Sequence, residues 1–130
     1  MSTSKTLVVL GAFNGALAVA LSALAAHLPL MAGASAQGVA SALEMHRFHA
    51  LGLVAAGLVA QAWPQVRGVA WAGAFMVLGI LLFCVNLYAR AWWGFDALRT
   101  FVPWGGTAFI VGWGVLALGV ATSMTRSRPT

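Results

Sequence analysis

Acidic side chains are almost missing: Glu44 and Asp96 are the only two in 130 residues, and charged residues of all kinds make up 7% of the chain. Soluble domains carry about 25% charged residues. With 62% of its residues hydrophobic, this chain cannot cover itself with charge, so its solvent is a bilayer. A single cysteine, Cys84, excludes an internal disulfide; inside an apolar run it reads as a small hydrophobe. The net charge of +5 comes without a basic patch. The cationic residues are scattered near the ends of apolar runs, which suits anchoring to headgroups and excludes nucleic acid as a partner. Catalytic sets are absent too. Cys84 has no basic neighbour in sequence and no Ser/His/Asp set is legible, so an enzyme is not expected. No inverted repeat marks a transporter.

What remains is four long apolar runs. The first, residues 6–28, is broken only by Asn14, Ser22 and His27. At 1.5 Å per residue it reaches roughly 34 Å, enough to cross a hydrocarbon core of about 30 Å. It is too long for the roughly 7–15 residues of a signal peptide's apolar region, so a retained span is expected. Pro29 ends it, and "PLMAGASAQGVAS" reads as a loop or a short surface helix. Ser41 and Glu44 have the spacing of a capping box, which predicts a second helix over 42–62, ended by Trp63-Pro64. Arg47, three residues beyond Glu44, can pair with it or snorkel to phosphates. A third span is predicted over 68–89 and a fourth over 103–123, with Pro103 allowed in a helix's first turn. The fold expected is an all-α integral membrane four-helix bundle with short loops, a single domain over 1–130.

Four spans bring both termini to one side. Lys5, Arg67, Arg126 and Arg128 collect there; Arg47, Arg90 and Arg99 lie opposite, offset by Glu44 and Asp96. Positive-inside counting then places the termini in the cytoplasm. Close helix approach in lipid depends on small residues; the candidates are Gly11 and Gly15 on the first span and Gly105, Gly106 and Gly112 on the fourth. The topology gathers His27, His46, His49, Asn86, Tyr88 and Arg90 toward one membrane face. His46 falls close enough to the predicted helix start to sit among headgroups. His49 lies deeper, where an ionised group is costly, and is expected to be neutral. A polar network of His27, His49, Asn86 and Tyr88 is expected, with Asn14 the exception near the other end.

The segments "FHALGLV" (48–54), "GILLFCVNLY" (79–88) and "VPWGGTAFIVGW" (102–113) resemble those of the membrane-protein family catalogued as domain of unknown function 423. The resemblance covers nearly the whole chain, from "LGAFNGALAVALSALAAH" to "GWGVLALG", and extends to a small eukaryotic transmembrane family. By matching position it carries over His27, His49, Phe83, Tyr88, Pro103, Gly105, Gly106, Gly112 and Trp113. The chain departs from the pattern at "SALAAHLP", where the family is glycine-rich around the first histidine, at Asn86, and at "EMHR". The resemblance implies a four-helix membrane protein and no activity.

The functional expectation is an accessory or scaffold component of the bacterial inner membrane, with the lipid bilayer as its first partner and a membrane protein or a second copy as its second. Two other classes compete. One is an oligomeric carrier of a small solute or protons using His49. The other is a haem or metal site using His27 and His49, although their spacing matches no zinc pattern. No cofactor is expected on the first reading.

Overall fold

Ser2 and Ser35 open the first two helices in a computed structural model that describes residues 1–30 and 34–126, with side chains described to Ser123. The stretch 31–33 of the expected surface loop, the Arg126 side chain and Arg128 lie outside the described residues. Helix α1 runs Thr3–His27 and α2 runs Ala36–Ala62. The Ser35 side chain accepts a hydrogen bond from Gly38 N–H at 3.2 Å, which satisfies one of the orphan donors of the first turn.

This start corrects the capping-box expectation. Ser41 lies inside α2, and Glu44 makes no hydrogen bond or ion pair among the described residues. The physical reason is burial upstream of Ser41: Val39 is 4% exposed, so the helix gains contacts by starting early. Ser35→Ala is therefore expected to cost about 1 kcal/mol, against less than about 0.5 kcal/mol for Ser41→Ala. Unfolding in mixed micelles measures both, and the reverse order would restore the later start.

The third rod is composite. Helix α3, Val69–Gly79, passes into a π-helical segment, Ile80–Val85, and on into α4, Asn86–Trp93. Gly68 caps α3 with φ +82°, and Gly94 ends α4 with φ +65°, a left-handed conformation that other residues adopt poorly. Phe95 N–H reaches the Ala89 carbonyl across that cap at 3.3 Å. Asp96 and Arg90 form an ion pair at 2.8 Å in the loop that follows. A 3-10 turn, Arg99–Phe101, leads into α5, Val102–Arg126.

Helix α2 and the third rod form the middle of the bundle; α1 packs on α2, and α5 packs on α3 and the π-helical segment. The core runs along the rods through Leu7, Ala42, Leu53, Ala56, Met76, Cys84 and Phe109. Outside it, Val19, Leu51, Trp71, Ile110 and Leu118 are each about two-thirds exposed or more. Apolar surface this extensive suits hydrocarbon rather than water. Among the described residues, three helices are long and apolar enough to cross a membrane: Thr3–His27, Val69–Trp93 and Arg99–Ser123. Helix α2 has the length but carries Glu44, His46, Arg47 and His49, and is not among them.

The glycines divide by contact. A Cβ on Gly11 would lie 2.7 Å from the Ala50 carbonyl oxygen, and one on Gly105 would lie 2.6 Å from Phe83 N. A Cβ on Gly112 would lie 3.1 Å from the Ala72 carbonyl oxygen. Gly15 and Gly106 meet nothing within 4 Å among the described residues, so neither lets two of these helices approach. Close approach is carried instead by Gly57, whose Cβ would meet the Ser4 carbonyl at 2.8 Å, and by Gly52 under Trp113 at 2.9 Å. Pro103, Trp104, Gly105 and Gly106 lie in the first turns of α5.

Candidate functional site

His46 lies ten residues beyond Ala36 in α2, about 15 Å along the helix axis. Nearly three turns of helix therefore precede it, where the later start allowed about one. It is fully buried, on the stripe that also buries Val39, Ala42, Leu53 and Ala56. Asn14 falls on the corresponding stripe of α1, between Gly11 and Ala18. Tyr88 arrives from α4, 4% exposed.

The three form a chain whose direction follows from what each atom can donate. Asn14 Nδ2 donates to the Leu10 carbonyl at 2.8 Å, which turns Oδ1 toward His46. A carbonyl oxygen only accepts, so His46 Nε2–H donates to Asn14 Oδ1 at 3.1 Å. In the neutral tautomer so assigned, Nδ1 is an acceptor, and the Tyr88 hydroxyl donates to it at 3.3 Å. The Tyr88 ring stacks on Trp92 at 5.6 Å. Hydrogen bonds thus tie α1, α2 and α4 through one imidazole.

Sequence reasoning put Tyr88 and Asn86 with His49. The structure gives Tyr88 to His46 and takes Asn86 elsewhere: its Nδ2 donates to the Leu98 carbonyl at 2.5 Å, fastening α4 to the following loop. The sequence did hold a signal for His46. Extending the 3.6-residue apolar period back from Leu53 through Ala42 to Val39 passes through position 46, but the misplaced cap made that stretch look superficial. His27 is the last residue of α1 and is exposed. The expected four-residue network is therefore not assembled.

His49 belongs to a different setting. Its Nδ1–H donates to the Met45 carbonyl at 2.7 Å, and its ring stacks on Phe109 of α5 with centroids 3.5 Å apart. Phe48 meets it edge-on at 5.3 Å and Trp113 flanks it at 6.3 Å. With Nδ1 protonated, Nε2 of the neutral ring holds a lone pair, and it has no hydrogen-bond partner among the described residues. The ring lines a groove of about 460 Å³ between α2 and α5 that also involves Glu44, Phe48, Gly106 and Trp113. Arg47, expected to pair with Glu44, turns to α1 and donates to the Ser22 hydroxyl. A larger cleft of about 540 Å³ between α1 and α3 is walled by residues such as Leu7, Leu10, Ala74 and Val77, away from this chemistry.

No cluster of three or more potential metal ligands occurs among the described residues. The arrangement offers one satisfied interior fastening and one lateral aromatic groove with two acceptors.

Comparison with known proteins gives consistent relatives. A family model described as "Protein of unknown function (DUF423)" matches residues 21–106. The UPF0382 membrane protein YwdK of Bacillus subtilis (strain 168) is 34% identical over 114 residues, covering 84% of this chain and 90% of its own length. The UPF0382 membrane protein SSP2132 of Staphylococcus saprophyticus is 33% identical over 118 residues, covering 88% of this chain and 96% of its own length. The UPF0382 inner membrane protein YgdD of Escherichia coli (strain K12) is 30% identical over 119 residues, covering 90% of both. No solved structure matches. Four helices around an apolar core, three of them among the described residues apolar enough to span, and this agreement along most of the chain make it a member of the DUF423 family of membrane proteins.

Proposed function

We propose that the chain is an accessory or scaffold component of the bacterial inner membrane, acting without catalysis. On this reading α2 is a fourth span and both termini face the cytoplasm. The observation that supports it best is the Asn14–His46–Tyr88 chain. Its bonds are spent holding helices to one another, which suits a fixed body presenting its outer surface to other membrane components. The name of the Escherichia coli relative, an inner membrane protein, supports the location.

The test is co-purification of the full chain from native membranes in mild detergent. A stoichiometric membrane-protein partner is expected; recovery of the chain alone, at every detergent mild enough to keep known complexes, would overturn the reading. Transport is the second reading, favoured by the unpartnered Nε2 of His49. Proton or solute flux in liposomes that disappears in His49→Phe would establish it against the scaffold. The haem reading gains no support from placement, since His27 is exposed at the end of α1 while His49 is stacked on α5.

A further inference from the structure

The groove between α2 and α5 has an uneven chemistry. Its floor is aromatic, built from His49 and Phe109 with Phe48 and Trp113 at the sides, and Gly106 leaves one wall open because no side chain fills the space there. Its volume, about 460 Å³, lies within the roughly 300–1,000 Å³ of small-molecule sites. Two groups on its lining accept hydrogen bonds without having a partner among the described residues. One is Nε2 of His49, whose other nitrogen is committed to the Met45 carbonyl. The second is the carboxylate of Glu44, one turn closer to the start of α2.

The nearest cation in sequence lines a neighbouring hollow with Glu44 but forms no ion pair with it among the described residues. Arg47 is three residues from Glu44, yet its guanidinium reaches Ser22 on α1. No Lys or Arg among the described residues lines the groove. An anionic side chain on an outward-facing helix surface at a membrane's edge is costly unless something supplies a donor or a positive charge. The groove opens laterally, so the occupant comes from the bilayer plane. It must bring hydrocarbon for the aromatic floor and a positively charged donor for the mouth. Ammonium groups also lie favourably against aromatic faces such as Phe48 and Trp113.

We propose that this groove is a binding site for a bilayer lipid with a primary-ammonium headgroup, its ammonium donating to Glu44 and its upper chain lying against His49, Phe109 and Trp113. The inference goes beyond the scaffold reading and does not depend on it. A lipid held there covers the seam between α2 and α5, where His49 stacks on Phe109.

The experiment delipidates the purified full-length chain in mild detergent and titrates it back with dioleoyl phosphatidylethanolamine, phosphatidylcholine or phosphatidylglycerol. Native mass spectrometry counts the lipid retained. One phosphatidylethanolamine per chain is expected, preferred about tenfold over phosphatidylglycerol, as a single charge-assisted hydrogen bond allows. Phosphatidylcholine, which carries the charge without N–H donors, should be held more weakly. Equal retention of the three lipids, or a preference for the anionic one, overturns the proposal. Two variants locate the site. Glu44→Gln keeps the shape and should remove the headgroup preference, whereas Gly106→Leu fills the open wall and should remove retention while leaving both acceptors in place. Wild-type selectivity in both variants would put the lipid elsewhere and overturn the assignment.

Discussion

Gly11→Ala is expected to destabilise the protein by about 2 kcal/mol, while Gly15→Ala, in the same GxxxG motif, is expected to leave it unchanged or up to about 1 kcal/mol more stable. The two positions are one turn apart on α1 and share a local conformation, so helix propensity favours alanine equally at both. What differs is the neighbour. A Cβ at Gly11 would lie 2.7 Å from the Ala50 carbonyl oxygen and 2.8 Å from Val54 N, both main-chain atoms of α2. Backbone cannot rotate away as a side chain can, so the helices must separate. Separation also lengthens the Asn14–His46 bond, one turn along the same interface. At Gly15 nothing lies within 4 Å. Reversible unfolding in mixed micelles measures the difference, and equal effects at the two positions would show that α1 does not meet α2 through Gly11.

His46→Ala is the second large effect, a loss of about 3 kcal/mol. Interhelical hydrogen bonds in membrane proteins average about 0.6 kcal/mol and reach about 1.7 kcal/mol. Removing the imidazole breaks two of them and leaves a cavity with no partner atoms on its walls. Asn14 Oδ1 and the Tyr88 hydroxyl both lose their partner at His46. Tyr88→Phe should cost about 1 kcal/mol, because it removes one donor and keeps the ring on Trp92. In a double-mutant cycle, Asn14→Ala and His46→Ala should couple by more than about 0.5 kcal/mol. His27→Ala, at an exposed helix end, should stay within about 0.5 kcal/mol of wild type. If His27 and His46 substitutions cost the same, the hydrogen-bond chain contributes nothing to stability.

The π-helical segment explains part of what the residue pattern could not give. Along the third rod the buried positions run Val69, Ala72, Met76, Ile80 and then Cys84, Tyr88 and Ala91. A uniform 3.6-residue helix would drift toward Phe83 and Leu87 instead. The wider turns of Ile80–Val85 delay the register and bring Cys84 and Tyr88 inward. Such segments occur frequently at functional sites, and here one places the hydroxyl that His46 uses. Nothing in "ILLFCV" distinguishes it from an ordinary apolar helix, since wide turns are chosen by packing and carry no residue signature.

Solvent, helix number and approximate helix ends were legible in the residues, because each depends on local properties. Apolar runs of membrane-crossing length and the prolines after the first two act without distant partners. Gly11, Gly105 and Gly112 were legible as close-approach positions for the same reason, small size. Which glycines meet another backbone was not, and Gly15 and Gly106 show it. Nor was the choice between Ser35 and Ser41 as the start of α2, which burial of Val39 against other helices decides. Shifting that start moved His46 from the surface to the interior and separated it from His49. Hydrogen-bond partners across helices depend on axial offset and rotation, and these come from the whole bundle packing at once, after every local preference has been met.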